Sequence, residues 1–99
     1  MTDTAPTPST RYVLCLFVTG ASPRSVRAIR AVRDICDERL AGRYDLEVVD
    51  IYRHPQRARE DQVVGAPTLV KSLPLPVRRI IGDMSNGSRL ASGLGLIAR

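Results

Sequence analysis

The chain has 99 residues, enough for one domain with a single modest core and too few for two. An apolar fraction of 43% excludes an intrinsically disordered chain, and no apolar run is long enough to span a membrane. The net charge of +5 rests on fourteen arginines and one lysine, Lys71, which favours acidic partners; no nucleic-acid recognition motif accompanies it.

Residues 1–10 are polar, carry Pro6 and Pro8, lack a signal-peptide pattern and read as a flexible tail, leaving residues 11–99 as one domain. Residues 12–18 form a continuous apolar, β-rich run, the pattern of a strand buried on both faces of an α/β sheet. Residues 19–23 break it: Ser22 is a good helix N-cap, and Pro23 suits the first helical position, where no amide donor is needed. A helix is predicted from there to about Leu40, with Val26, Ile29, Val32, Ile35, Cys36 and Leu40 on its apolar face. Gly42 is available for a left-handed cap. Residues 46–52 read as a second strand, parallel to the first because one helix separates them.

His54 and Pro55 open a short, polar helical stretch to about Gln62. Residues 66–73, with Pro67 near the start, and residues 77–82 suggest two further strands joined through Pro74 and Pro76. From Ser85 on, Leu90, Leu94 and Ile97 suggest a last helix. Gly87, Gly93 and Gly95 weaken it by about 1 kcal/mol each relative to alanine in a helix interior. The final third therefore has little local commitment to one structure. The order of elements is that of an α/β, thioredoxin-like βαβ unit followed by a helix, a β-hairpin and a C-terminal helix.

Cys15 and Cys36 form neither a CxxC pair nor a metal-ligand spacing and read as buried free thiols, which fits a reducing cytoplasm. Thioredoxins carry their redox cysteines between the first strand and first helix, where this chain has none; redox catalysis and cofactors are therefore not expected. His54 is a helix-entry surface residue, and Asp50 is expected to make a strand-end ion pair with an arginine. An alternative reading uses Ser22 as a glutathione-activating hydroxyl in a thioredoxin-like protein; its N-cap role is the simpler account. Arg78 and Arg79 are adjacent, so a strand turns them to opposite faces and exposes at least one. Arginine suits bidentate contacts to carboxylates, which makes Arg27, Arg78 and Arg79 candidate partner-binding residues.

Several stretches resemble the KaiB family: Tyr12-Val13-Leu14, Gly20 with Ser22-Pro23, Ser25-Val26-Arg27-Ala28, Val49-Asp50-Ile51, Pro55-Gln56, Ala66-Pro67-Thr68-Leu69, and above all residues 74–86. The resemblance covers roughly residues 12–96. It implies a non-enzymatic clock or timing protein with two folds. One is thioredoxin-like and binds the N-terminal ATPase ring of a KaiC-type protein; the other, a βαββααβ ground state, assembles into tetramers. A homo-oligomer, dimer or tetramer, is therefore expected when unbound. The resemblance also suggests KaiA or a SasA-like kinase as further partners, and a cis bond before Pro67 in the thioredoxin-like state. Pro67, Pro74, Pro76, Gly93 and Gly95 are the candidate switch positions, since two folds coexist only when their free energies differ by a few kcal/mol. This chain departs from the family in having Pro74-Leu75-Pro76 for three prolines, Gly95 for an acid and Gln62 for a lysine, and in lacking an acidic tail.

Overall fold

The computed structural model describes residues 10–65, 67–82, 84 and 87–96. The tail reading of residues 1–10 falls almost wholly outside them, as do Ile97 and the peptide bond from Ala66 to Pro67.

The elements run β1 (Tyr12–Val18), α1 (Pro23–Arg39), β2 (Tyr44–Asp50), α2 (Pro55–Glu60), β3 (Thr68–Leu73), β4 (Arg78–Ile81) and α3 (Gly87–Gly93). They build one four-stranded mixed sheet in the order β2-β1-β3-β4. β1 pairs parallel with β2 and antiparallel with β3, and β4 returns antiparallel along β3. This is the expected thioredoxin-like arrangement.

The most apolar run lies at the centre of the sheet because a strand with neighbours on both sides buries most surface. Side-chain alternation then sorts the core into two layers. Leu14, Leu16, Leu69 and Ile80 face α1 and α3, meeting Val32, Ile35, Cys36, Leu90 and Leu94. Phe17, Val49 and Val70 face the other way and meet Ala58 of α2. Each fully buried leucine contributes about 1.5 to 3 kcal/mol by leaving water. The second layer is thin, because α2 has only six residues. Cys15 on that face is accordingly half-buried, not buried as expected; Cys36 is fully buried.

Helix α1 begins as predicted. Ser22 is extended, its side chain accepts from the Ser25 amide, and Pro23 takes the first turn. The predicted face holds from Val32 onward, with Val32, Ile35, Cys36 and Leu40 buried; only at the start of the helix does it shift, Val26 being 47% exposed while Ser25 and Ala28 are buried. Small side chains there let the helix axis approach the sheet, which a valine would hold off. β2 starts two residues earlier than expected. Pairing with β1 extends it through Tyr44 and Asp45, held by the Tyr12 amide on the Arg43 carbonyl at 2.8 Å and by Arg11 on Asp45 at 2.7 Å.

Leu90 lies on α3 as expected, but the helix ends at Gly93, so Leu94, expected within it, falls just past its end; both are buried. The glycines fall where their cost in the helix is small: Gly87 and Gly93 are the first and last residues of α3, and Gly95 lies beyond it at φ +75°. The Leu73–Pro74 and Leu75–Pro76 peptide bonds are cis.

Candidate functional site

The turn after β1 occupies the place where a thioredoxin holds its thiols. Here hydroxyls and amides close it. Ser22 Oγ accepts from the Ser25 amide at 3.2 Å and lies 3.0 Å from Ser25 Oγ. Ser25 Oγ in turn accepts from the Thr19 amide at 3.2 Å and donates to the Thr19 carbonyl at 3.1 Å. Ser22 thus caps the helix, the simpler of its two readings. Asp50, at the end of β2, accepts from the Tyr52 amide at 2.9 Å and the Gly20 amide at 3.1 Å. The expected ion pair is therefore replaced by backbone amides. Those amides, Tyr52 first, hold the carboxyl below its ordinary range.

Neither thiol is poised for chemistry. Burial pushes Cys15 up to about 11, with Glu47 adding to the effect and Arg57 opposing it. Burial likewise pushes Cys36 to about 11, aided by Asp37. Thiolate is the reactive form, so both are inert near neutrality. Cys15 opens onto a groove of about 420 Å³ on the thinly covered face. Arg57 bridges that groove, placing both terminal nitrogens 2.8 Å from the Glu47 carboxylate. Among the described residues no cluster of histidine, cysteine and carboxylate could hold a metal ion.

The predicted partner residues separate into two places. Arg27 is exposed on α1 and lines a groove of about 350 Å³ at the seam with α3, beside Asp34, Glu38 and Gly87. Arg78 and Arg79 are exposed on β4, an outer strand of the sheet, and face opposite sides as expected. α3 contacts both α1 and β4 and stands between the two places. Arg78 lies across from Lys71, whose ammonium is 5.9 Å from the Tyr12 ring centroid. Burial and the Arg78 charge both depress the Lys71 pKa. Among the described residues no carboxylate forms an ion pair with Arg27, Arg78 or Arg79, the salt bridges being Arg11–Asp45 and Arg57–Glu47.

Sequence reasoning missed the surroundings of this cationic strand. Leu73, Leu75 and Val77 at the hairpin are 48%, 60% and 53% exposed, and Ile81 is 51% exposed. Arg89 of α3 reaches back and donates to the Ile81 carbonyl at 2.7 Å. A signal for the apolar part was present: Val77, Arg79 and Ile81 stand at period two. Gly93 packs so closely on β4 that a methyl group in place of its hydrogen would sit 2.5 Å from Ile80 Cδ1. A side chain at position 93 would therefore have to push the Ile80 side chain aside at the α3–β4 seam.

A four-stranded sheet in the order β2-β1-β3-β4 with a hydroxyl-capped turn after β1, and an exposed rim that is cationic and apolar, defines a thioredoxin-like protein. The family model described as the KaiB domain matches residues 15–96. The chain belongs to the KaiB family, a family of clock proteins and not of enzymes. It is 47% identical over 90 residues to the circadian clock oscillator protein KaiB of Prochlorococcus marinus (strain MIT 9303), covering 91% of this chain and 76% of the relative. It is 48% identical over 86 residues to that of Thermosynechococcus vestitus, covering 87% and 80%. Among solved structures, the N-terminal domain of Synechococcus elongatus SasA superposes with a TM-score of 0.71 at 23% identity, covering 100% of this chain and 95% of that one. Mitochondrial thioredoxin 3 of Saccharomyces cerevisiae gives 0.69 at 16% identity, covering 91% and 82%. These two likenesses establish the shared fold. No described helix is long and apolar enough to cross a membrane.

Proposed function

We propose that this chain binds the N-terminal ATPase ring of a KaiC-type protein and modulates its phosphorylation cycle through a slow change of fold. Residues 11–99 act as one unit in the cytoplasm, and the thioredoxin-like arrangement is the binding form. The observation that carries the reading is the cationic outer strand of a KaiB-family chain: Arg78 and Arg79 stand exposed, with no carboxylate in an ion pair with either among the described residues. Arg27 adds a second contact on α1.

The switching part rests on weak commitment in the last third. Pro67, Pro74 and Pro76 punctuate it, Gly93 is wedged against Ile80, and Gly95 holds a left-handed turn. Two packings of one sequence coexist only when they differ by a few kcal/mol, and few strong local signals in this third favour one over the other. The unbound form is then a homo-oligomer, dimer or tetramer. KaiA or a SasA-like kinase are secondary partners; Gln62, where related proteins carry a lysine, argues for a simpler pairing with the ATPase alone.

Co-elution of this chain with a hexameric KaiC-type ATPase and nucleotide, after incubation for hours, tests the proposal. A complex weakened at least about tenfold by Arg78→Ala together with Arg79→Ala is expected. Absence of any complex after prolonged incubation overturns it.

A further inference from the structure

β4 is one of the two outer strands of the sheet, and hydrogen-bond alternation decides which of its backbone groups are free. The Gly82 amide donates to the Pro67 carbonyl at 3.0 Å, so Gly82, and with it Ile80 and Arg78, turn their backbone groups toward β3. Arg79 and Ile81 lie between them and turn theirs outward. Arg89 approaching the Ile81 carbonyl at 2.7 Å fits that direction. Three outward groups remain: the Arg79 amide, the Arg79 carbonyl and the Ile81 amide. Along this rim runs a groove of about 410 Å³ lined by Arg79, Ile80, Ile81, Arg89, Ser92 and Gly93.

We propose that this rim accepts an extended segment of the partner as a fifth strand, with a carboxylate opposite Arg79 and apolar side chains two residues to either side. The inference rests on the reading that the β4 arginines contact a partner, and it adds the mode of contact. An unpaired strand edge is a template for another strand, and exposed edges are ordinarily protected by charge. Arg79 provides that protection here and also selects the occupant. A second copy of this chain paired edge to edge would set Arg79 against another arginine or against Ile81, and like charges directly opposite destabilise a pair. An acidic residue removes the repulsion. Ile81 shares the face of Arg79 and is 51% exposed, and Val77, two residues earlier, is 53% exposed. The complementary pattern is therefore apolar, any, acidic, any, apolar. The hairpin ends the template, since Pro74 and Pro76 have no amide to offer.

Amide exchange on the isotopically labelled chain tests this, with two probes: a KaiC-type hexamer with nucleotide, and a short synthetic peptide alternating valine and threonine around a central glutamate. The Arg79 and Ile81 amides should slow at least about tenfold on binding, while the already bonded Arg78 and Ile80 amides change little. Arg79→Pro removes an outward donor and leaves the inner ladder intact; it should weaken binding about tenfold or more, beyond the effect of Arg79→Ala. Should Arg79→Pro fail to fold, exchange on the unaltered chain decides alone. A bound ATPase with Arg79 and Ile81 exchanging as in the free chain overturns strand addition and leaves the partner reading standing. With no ATPase bound, the partner reading fails, and the peptide result decides strand addition by itself. Protection that grows with protein concentration in the absence of either probe would make a second copy the occupant and overturn the proposal.

Discussion

The Gly20 amide donates to the Asp50 carboxylate at 3.1 Å, joining the turn after β1 to the end of β2 across thirty residues of sequence. The same oxygen accepts from the Tyr52 amide at 2.9 Å. One carboxylate therefore shapes both turns at the end of the sheet where a thioredoxin would do its chemistry. In this chain the same geometry serves as a structural clasp.

Removing that carboxylate should loosen both turns. Asp50→Ala should lower the melting temperature by a few degrees, with Asp50→Asn in between because its amide oxygen still accepts. The pH dependence follows from the depressed pKa. The unfolded chain holds the proton more tightly than the folded one at this site, so the stabilisation is present above about pH 4 and is lost as the pH falls through the lower folded value. Thermal unfolding of the unaltered chain should therefore fall more steeply below pH 4 than that of Asp50→Asn. Parallel profiles would show that the clasp does not depend on charge.

The turn after α2 holds a second testable strain. Gln62 sits at φ +57°, and the Val63 amide donates back to the Ala58 carbonyl at 2.8 Å, the geometry of a left-handed helix cap. Glycine takes that conformation without steric cost, whereas glutamine does not. Gln62→Gly should stabilise the thioredoxin-like fold by about 0.5 to 1 kcal/mol, the gain being partly offset by the greater freedom of the unfolded chain. Thermal or urea unfolding reads this directly, and a loss of stability would mean that the glutamine side chain contributes contacts that outweigh the strain.

Thiol chemistry offers a third check. Both cysteines titrate near 11, so near neutral pH each is almost wholly protonated. Alkylation by iodoacetamide at pH 7.5 should be slow, and its rate at Cys15 should rise about tenfold per pH unit until the titration is approached. Cys36, wholly buried, should react only when the chain unfolds. Replacing Arg57 by glutamine removes the cation whose Nη2 lies 3.9 Å from Cys15 Sγ and should slow Cys15 further. Rapid labelling of either thiol at neutral pH would contradict this account and reopen a redox role.

The parts of the fold that the sequence revealed are those specified locally. Residues 12–18 are apolar throughout and took the central strand; Ser22 and Pro23 carried their own start signal for α1. The parts that escaped depend on distant groups. Val26 was expected inward by spacing alone, yet the axis of α1 is set by how near small Ser25 and Ala28 let it come to the sheet. Asp50 was expected to find an arginine, because the nearest amides it captures include one that only the βαβ crossover brings close. The cationic identity of the candidate site was legible in Arg78 and Arg79. Its apolar border and the Arg89 contact to Ile81 were not, since hairpin exposure and the approach of α3 are tertiary outcomes. Arg27 was grouped with them by residue type, and the fold places it on another seam.

The last prediction bears on the balance of packings. Gly95 follows α3 at φ +75°, and the Gly95 amide donates to the Ser92 carbonyl at 3.1 Å while Leu96 donates to Ala91 at 2.7 Å. Together these bonds close the helix and place Leu94 in the core, where it is 1% exposed. Alanine at position 95 would pay about 1 kcal/mol for the left-handed conformation. In a protein with a single fold, that cost appears only as a lower melting temperature and one set of amide signals. In a protein with two packings of the last third, Gly95→Ala instead shifts the population about fivefold toward the packing that does not need the turn. Amide spectra after Val63 should then show a second, slowly exchanging set that grows in the variant, and binding to the ATPase should weaken in proportion to the lost fraction of the thioredoxin-like form, by up to about fivefold where that form is the minor one, since only it offers the β4 rim. One set of signals with undiminished binding would remove the support that Gly95 gives to fold switching.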